Sequence, residues 1–210
     1  MMTIDQLREG IAEYVSGARY RHTLGVEREC AALADIYALS PSDRQRLQIA
    51  ALLHDITKEK NTDQQQALCV RYGLPFDEQD RLSPKTLHAR TGAAVAAADF
   101  PEMADEMVCG CIRWHTTGRA GMTLCQKLLY LADYIEDTRT FPDCVELRRS
   151  FYAGLDRGEE PLKLLDDTML LSFDMTIRDL LESSSLISAD TILARNDLLA
   201  QREKNSHDAK

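Results

Sequence analysis

The chain has 210 residues, of which 44% are hydrophobic and 28% charged, a composition typical of a folded globular protein. Its formal net charge of −9 excludes general electrostatic attraction to nucleic acid, so an anionic ligand would need a local cluster of cations or a metal. No stretch of about 18 apolar residues is present, so we expect no membrane span. The amino terminus also lacks the basic-then-apolar order of a secretion signal, which favours a cytoplasmic protein with six reduced cysteines.

Helical patterns occur along the whole chain, and strand patterns are nearly absent. Thr3 is placed to cap the first helix, and Ser40 or Asp43 to cap the third. The predicted helices cover, in chain order, residues 3–15, 17–39, 41–54, 61–72, 84–98, 101–115, 123–136, 142–155, 161–183 and 189–201. We therefore predict an all-α bundle of about nine or ten helices. One domain over residues 1–202 and a polar, flexible tail over 203–210 are expected.

His54-Asp55 is the most informative motif, because it stands at the end of an apolar stripe. Leu47, Ala50, Ala51 and His54 follow the i, i+3, i+4, i+7 spacing of one buried helix face. Burying an imidazole and a carboxylate together is costly unless a fixed positive partner meets them. A divalent metal is such a partner, because imidazole nitrogen and carboxylate oxygen are ordinary metal ligands.

Further polar residues interrupt similarly apolar helices: His22, His88, His115 and Asp133. Asp133 needs a compensating partner, which could be a metal or a salt bridge to Arg139 or Lys127. A lone histidine in an apolar helix is more often a core residue, but several of them together with two aspartates favour a site between helices. A mixed nitrogen and oxygen donor set suits iron, manganese or zinc.

These residues resemble the HD-domain metal-dependent phosphohydrolases, and among them the YqeK family of bacterial symmetrical bis(5′-nucleosyl)-tetraphosphatases. The similarity covers about residues 4–200. The motifs that carry it are Arg19-Tyr-x-His22-Thr, Leu-Leu-His54-Asp55-Ile-x-Lys58-Glu59, His88-Ala-x-Thr-Gly-Ala, Arg113-x-His115-Thr116-Thr117-Gly118-Arg119 and Leu-Ala-Asp133-Tyr-Ile-Glu136-Asp-x-Arg139.

The resemblance implies an HD-type helical domain that hydrolyses diadenosine tetraphosphate at its centre to two ADP, using water activated by a metal. The implied metal is iron, with manganese or zinc as alternatives, and its implied ligands are His22, His54, Asp55 and Asp133. The implied nucleotide contacts are Arg19, His22, Asp55, His88, His115, Thr116, Asp133 and Arg139. The implied catalytic residues are Asp55, Lys58, His88 and His115. The partner is therefore a small nucleotide, with neither nucleic acid nor membrane involved.

Several alternatives stay open. The same fold could act on a nucleoside monophosphate, a deoxynucleoside triphosphate or a cyclic dinucleotide, or serve as a non-catalytic adaptor whose histidines only pack. A homodimer is one option for the oligomeric state. His88 and His115 could move protons, contact phosphate or bind a second metal. The segment 187–191, before the last helix, is a further candidate for contact with the nucleotide.

Each of the residues that flank these motifs also allows two interpretations. Lys58 could contact phosphate or form an exposed ion pair with Glu59. Arg113 and Arg119 could contact phosphate or belong to a solvated helix end. Trp114 could stack on adenine or pack in the core. Tyr130 and Tyr134 could orient Asp133 through hydrogen bonds or serve packing alone.

Overall fold

The structure is a computed structural model that describes the backbone of residues 2–208 and the side chains of residues 2–204. Within those limits the chain forms eleven α-helices and two short 3₁₀ helices, and no strand. The α-helices are α1 Ile4–Gly10, α2 Gly17–Ile36, α3 Pro41–Leu53, α4 Thr62–Tyr72, α5 Glu78–Leu82, α6 Leu87–Asp99, α7 Glu106–Trp114, α8 Leu124–Ile135, α9 Pro142–Asp156, α10 Pro161–Glu182 and α11 Ala189–Asp208. The predicted all-α class is confirmed.

The helix boundaries follow the capping residues. Thr3 caps α1 through a capping box with Gln6, and Ser40 accepts a hydrogen bond from the backbone N–H of Asp43 at the start of α3. The predicted helix 3–15 ends earlier, at Gly10, and continues as the 3₁₀ helix Ile11–Glu13. Helix α5 was not predicted because it has five residues and none of them is buried, so no apolar stripe marks it.

The predicted starts of two helices were wrong. Helix α7 begins at Glu106 rather than at Pro101, because Phe100 O accepts the N–H groups of Met103 and Ala104 in a separate turn. Asp105 is then extended, with ψ of 179°, and its side chain caps α7. Helix α6 likewise begins after a 3₁₀ turn that Pro84 opens. Proline at a first helical position fits a 3₁₀ turn equally well.

The core lies between α2, α3, α7 and α8. Helix α2 packs on α3 and α8, α3 packs on α7, and α6 covers the other side of α7. Helices α9, α10 and α11 pack in succession beyond α8. Leu33, Leu53, Ile112 and Leu129 have no exposed surface and fill the space between the central helices. These central helices and α6 also carry, in them or directly at their ends, the polar residues singled out from the sequence.

The structure also bears on the predictions about membrane spans, the cysteines and the carboxy-terminal tail. No helix in the part of the chain that the structure describes is long and apolar enough to cross a membrane. All six cysteines are free thiols. Helix α11 continues past residue 201 to Asp208, so part of the predicted tail is helical. Residues 209–210 lie outside the described residues, and the domain limits and the flexibility of the tail stay predictions.

Candidate metal centre and active site

Polar side chains from five helices meet at one buried point between α2, α3, α6, α7 and α8. They are His22 in α2, His54 and Asp55 at the end of α3, His88 in α6, His115 directly after α7 and Asp133 in α8. His54 and His115 have no exposed surface, and Asp55 is 2% exposed. Their donor atoms form three overlapping groups of three, and within each group all atoms lie within 4.8 Å of one another.

The four residues expected to bind metal are in mutual contact. His22 Nε2 lies 3.0 Å from Asp133 Oδ1 and 3.7 Å from Asp55 Oδ2. His54 Nε2 lies 3.4 Å from Asp55 Oδ2 and 3.9 Å from Asp133 Oδ1. Two imidazole nitrogens and two carboxylate oxygens thus point at a common centre. They come from three different parts of the chain, namely α2, the end of α3, and α8.

Hydrogen bonds on the far side of three imidazole rings set their orientation. In each ring Nδ1 donates to the backbone carbonyl three residues earlier, and the pairs are His54–Ala51 at 2.6 Å, His88–Lys85 at 2.8 Å and His115–Ile112 at 2.7 Å. A ring that donates through Nδ1 keeps the lone pair on Nε2 when it is neutral. All three Nε2 atoms therefore face the centre as acceptors or ligands.

Several atoms at this centre have no hydrogen-bond partner. Among the described side chains, His22 Nε2, His54 Nε2 and Asp55 Oδ1 are buried and unpartnered. Such atoms are costly in a folded protein unless something else meets them. The convergent groups contain only imidazole and carboxylate donors, and no cysteine among residues 2–204 joins them. These residues therefore fit a divalent metal ion.

Glu136, at the carboxyl end of α8, completes the support of His22. Its Oε1 lies 3.0 Å from His22 Nδ1, and the carboxylate has no exposed surface. The backbone N–H and the hydroxyl of Thr138 both donate to Glu136 at 2.7 Å. A carboxylate behind a ligating imidazole fixes the ring and makes Nε2 more basic.

Sequence reasoning assigned Glu136 no role, although the residue lies in one of the quoted motifs. A signal was present, because Glu136 follows Asp133 by three residues in a helix that is otherwise apolar. Gly25 of α2 makes room for this carboxylate. A Cβ atom at Gly25 would lie 2.3 Å from Glu136 Oε2, closer than any real contact.

A second group of polar atoms adjoins the metal quartet. His88 Nε2 and His115 Nε2 are 3.0 Å apart and lie 3.3 and 3.6 Å from Asp55 Oδ1. The hydroxyl of Thr116 is 3.1 Å from both Nε2 atoms. Lys58 Nζ is 3.2 Å from His88 Nε2. Asp55 thus contacts both groups, and a cation stands at the outer edge of the second.

Two guanidinium groups flank the quartet on its exposed side. Arg19 Nη1 lies 2.8 Å from Asp55 Oδ2. Arg139 pairs with the carboxylate of Asp133, and its Nε donates to Asp133 O at 2.9 Å. The salt bridge considered for Asp133 therefore exists beside the histidine contacts. Lys127, the other candidate, pairs instead with Asp166 at 2.6 Å.

The charges of the site follow from burial and from these partners. Burial alone would raise the pKa of Asp133, but Arg139 and His22 hold it well below its usual value. Burial alone would lower the pKa of His22, but the adjacent carboxylates of Asp133 and Glu136 raise it to about 9. Burial lowers the pKa of His88 to about 4. At neutral pH His88 is therefore an uncharged acceptor at Nε2.

The structure shows what the residues that flank the motifs contact. Lys58 and Glu59 form no ion pair, because Glu59 instead accepts the N–H of Ser16 at 2.6 Å. The guanidinium groups of Arg113 and Arg119 cover the ring of Trp114, at 4.0 and 5.7 Å from its centroid. The hydroxyls of the two tyrosines that flank Asp133 bond to α10 and not to Asp133; the pairs are Tyr130–Ser172 and Tyr134–Thr176.

The imidazole rings form a row that runs His22, His54, His115, His88, and two surface clefts lie near it. One of them is lined by residues close in sequence to His88 and His115, and the other includes His22. The first, called the Arg113 cleft, has a volume of about 180 Å³. It is lined by Arg90, Arg113, Thr117, Ile187, Ser188 and Asp190, so part of the segment 187–191 lines this cleft, and its contact with a nucleotide stays a prediction. The second, called the Phe141 cleft, has a volume of about 220 Å³. It is lined by Arg19, His22, Glu59, Arg139, Thr140 and Phe141.

Known proteins are similar to this chain in both sequence and fold. Residues 19–138 match the HD-domain family. The chain is 30% identical over 190 residues to a protein of Bacillus subtilis (strain 168), covering 90% of this chain and 94% of that protein. It is 33% identical over 195 residues to a protein of Halalkalibacterium halodurans, covering 92% and 95% of the two chains. Both relatives are named bis(5′-nucleosyl)-tetraphosphatase, symmetrical.

A solved structure shows the same architecture. The crystal structure of an HD superfamily hydrolase from Clostridium acetobutylicum, described as involved in NAD metabolism, aligns with a TM-score of 0.80 at 30% identity. The alignment covers 96% of this chain and 99% of that one. This chain therefore resembles these proteins in both sequence and fold over nearly its whole length.

Proposed function

Because the chain belongs to the HD-domain family and, within it, to the symmetrical bis(5′-nucleosyl)-tetraphosphatases, we propose that it hydrolyses diadenosine tetraphosphate to two ADP. The observation that carries this proposal is the convergence of His22, His54, Asp55 and Asp133, in which Nε2 of each imidazole lies 3.9 Å or less from both carboxylates. Histidines that only packed, as in an adaptor, would not leave several buried polar atoms unpartnered. A nucleotide with fewer phosphates remains the alternative to be tested.

The quartet His22, His54, Asp55 and Asp133 would hold the metal, for which we propose iron. Imidazole and carboxylate donors without thiolate are compatible with iron, manganese and zinc. When bound, such an ion acts as a Lewis acid toward a phosphoryl oxygen and lowers the pKa of water toward neutrality. Glu136 and Arg139 would hold His22 and Asp133 in place for it.

The remaining polar residues would bind the polyphosphate and handle the proton. Arg19 and Arg139 stand where guanidinium groups can bind phosphate oxygens in pairs. Neutral His88 and His115 accept through Nε2, so they and Asp55 can orient the attacking water and take its proton. Burial lowers the pKa of Lys58, whose ammonium can then neutralise charge on the leaving ADP or transfer a proton to it.

The Arg113 cleft would take one nucleoside. Its lining from α6, α7 and the segment before α11 lies beside Thr116, which contacts both imidazoles of the second group. The hydroxyl of Ser188 can donate to or accept from ribose and base, and the carboxylate of Asp190 can accept from them. The single domain 1–202, a homodimer and a cytoplasmic location stay predictions.

The test combines product analysis with metal analysis. We expect anaerobically purified protein to contain stoichiometric metal and to release ADP alone from diadenosine tetraphosphate. His54→Ala and Asp55→Ala should lose both metal and turnover while the helical circular dichroism signal persists, and Asp99→Ala, an exposed carboxylate at the far end of α6, should retain both. Activity in a metal-free Asp55→Ala protein, or preferential release of phosphate or AMP from simpler nucleotides, would refute the proposal.

A further inference from the structure

The proposed function places no nucleoside in the Phe141 cleft, although His22 of the metal quartet lines it. Arg19 and Arg139 line it and also contact Asp55 and Asp133. Any polyphosphate that reaches the metal ligands from this side must pass these two guanidinium groups. The cleft therefore combines two cations with one of the residues of the metal quartet, a lining that suits phosphate groups.

Phe141 lines the same cleft and occupies an unusual position. It is the N-cap residue of α9, where serine, threonine, aspartate and asparagine are preferred, and its side chain makes no capping hydrogen bond. The ring is also 64% exposed. Neither helix capping nor burial in the core accounts for a phenylalanine here. An exposed aromatic ring beside phosphate-binding cations is the usual platform for a nucleobase.

The surroundings of Phe141 extend this apolar platform. The ring also borders a groove between α9 and α10, of about 360 Å³, which Leu147 and Met175 line. Trp114 is a poorer platform, since two guanidinium groups already cover it. Arg139 pairs with Asp133 and lines the cleft together with Phe141, so a candidate metal ligand, a cation and an aromatic ring follow one another here. A nucleoside diphosphate has the same order from its terminal phosphate to its base.

The proposed substrate consists of two identical halves joined by the central anhydride. If that anhydride lies at the metal quartet, one ADP half must extend to each side. We propose that the Phe141 cleft binds the second nucleoside diphosphate half, with Arg19 and Arg139 on its phosphates and its base stacked on Phe141. This inference rests on the proposed function and adds the site for the half that the Arg113 cleft does not hold.

Kinetics of ring-removing variants test the stacking. Phe141→Leu and Phe141→Ala should raise the KM for diadenosine tetraphosphate about tenfold, with kcat, metal content and helical signal unchanged, because the ring contributes to binding alone. Phe141→Tyr keeps an aromatic face and should retain the wild-type KM. Leu162→Ala is the matched control, because it removes a comparably exposed apolar side chain near the start of α10.

Product binding supplies a readout that does not depend on turnover. In calorimetric titrations of the metal-loaded protein with ADP, we expect two binding sites per chain in the wild type and in Phe141→Tyr. In Phe141→Ala we expect one unchanged site and a second one weakened about tenfold. A KM for Phe141→Ala within about twofold of wild type, or an equal loss in Phe141→Tyr, would overturn the inference alone. A wild-type protein that releases no ADP from diadenosine tetraphosphate would overturn the proposed function as well.

Discussion

Replacement of Glu136 by glutamine tests whether the carboxylate behind His22 governs metal affinity. Glu136 accepts from His22 Nδ1 at 3.0 Å and from two donors of Thr138 at 2.7 Å, and its own side chain has no exposed surface although Thr138 is exposed. Glutamine has nearly the same shape, but its amide nitrogen can only donate. One of the three donors around it must therefore lose its acceptor, and His22 loses a negatively charged partner in either orientation of the amide.

Removal of such a supporting carboxylate lowers metal affinity about 10- to 100-fold. We expect a loss of that size in Glu136→Gln, together with about 1.5–3 kcal/mol of folding stability for the lost charge-assisted hydrogen bond. Competition with a chelator of known affinity, followed by elemental analysis, would measure the first quantity. Urea unfolding of the metal-free protein would measure the second.

The matched control is Glu29→Gln, which changes a carboxylate of the same helix as His22 that accepts the hydroxyl of Tyr152. It should leave metal affinity unchanged. A folded Glu136→Gln protein with wild-type metal affinity would refute the reasoning, because it would mean that His22 is held by helix packing alone. Equal losses in both variants would point to general destabilisation of α2.

Gly25→Ala should displace Glu136, since the new Cβ would lie 2.3 Å from Oε2, and we expect a loss of about 1–3 kcal/mol in urea unfolding together with weaker metal binding. Gly10→Ala, where no atom lies within 4 Å of the new Cβ, should cost far less, and equal effects of the two would contradict this explanation. The pKa of His22 is raised to about 9 in the folded protein, from about 6.5 in an unfolded chain. Protonation of His22 therefore stabilises the metal-free fold fully below pH 6.5, and this stabilisation is lost as the pH rises through 9. Metal must displace this proton, so metal affinity measured by titration should increase from pH 6.5 to 9, and a flat profile would show that His22 is neutral in the metal-free protein.

The part of the site that the sequence predicts well is the set of polar residues in apolar helices. Burial of His54 and Asp133 could be expected because their neighbours at helical spacing are apolar. Their convergence is found in the structure, and their roles as ligands stay proposals. The helical class was equally readable, because the apolar spacing is helical nearly throughout.

Other parts depend on contacts that no local pattern contains. The turn before Asp105 competes with helix formation, and both are compatible with Pro101, so the start of α7 could not be inferred. The space at Gly25 is visible only when α2 is packed against the end of α8. The two clefts arise between segments far apart in the chain, such as Thr117 and Ser188, and therefore depend on tertiary structure.

The short-range anchoring of His54, His88 and His115 has a consequence for how the protein acquires its metal. Each ring is aimed by a carbonyl of its own helical turn, so its direction is established as soon as that turn forms. Folding of the bundle then only has to bring these oriented imidazole rings together. The arriving ion therefore removes little further side-chain entropy. An apoprotein built in this way should capture its ion quickly, with loss of hydration water from the ion as the slow step.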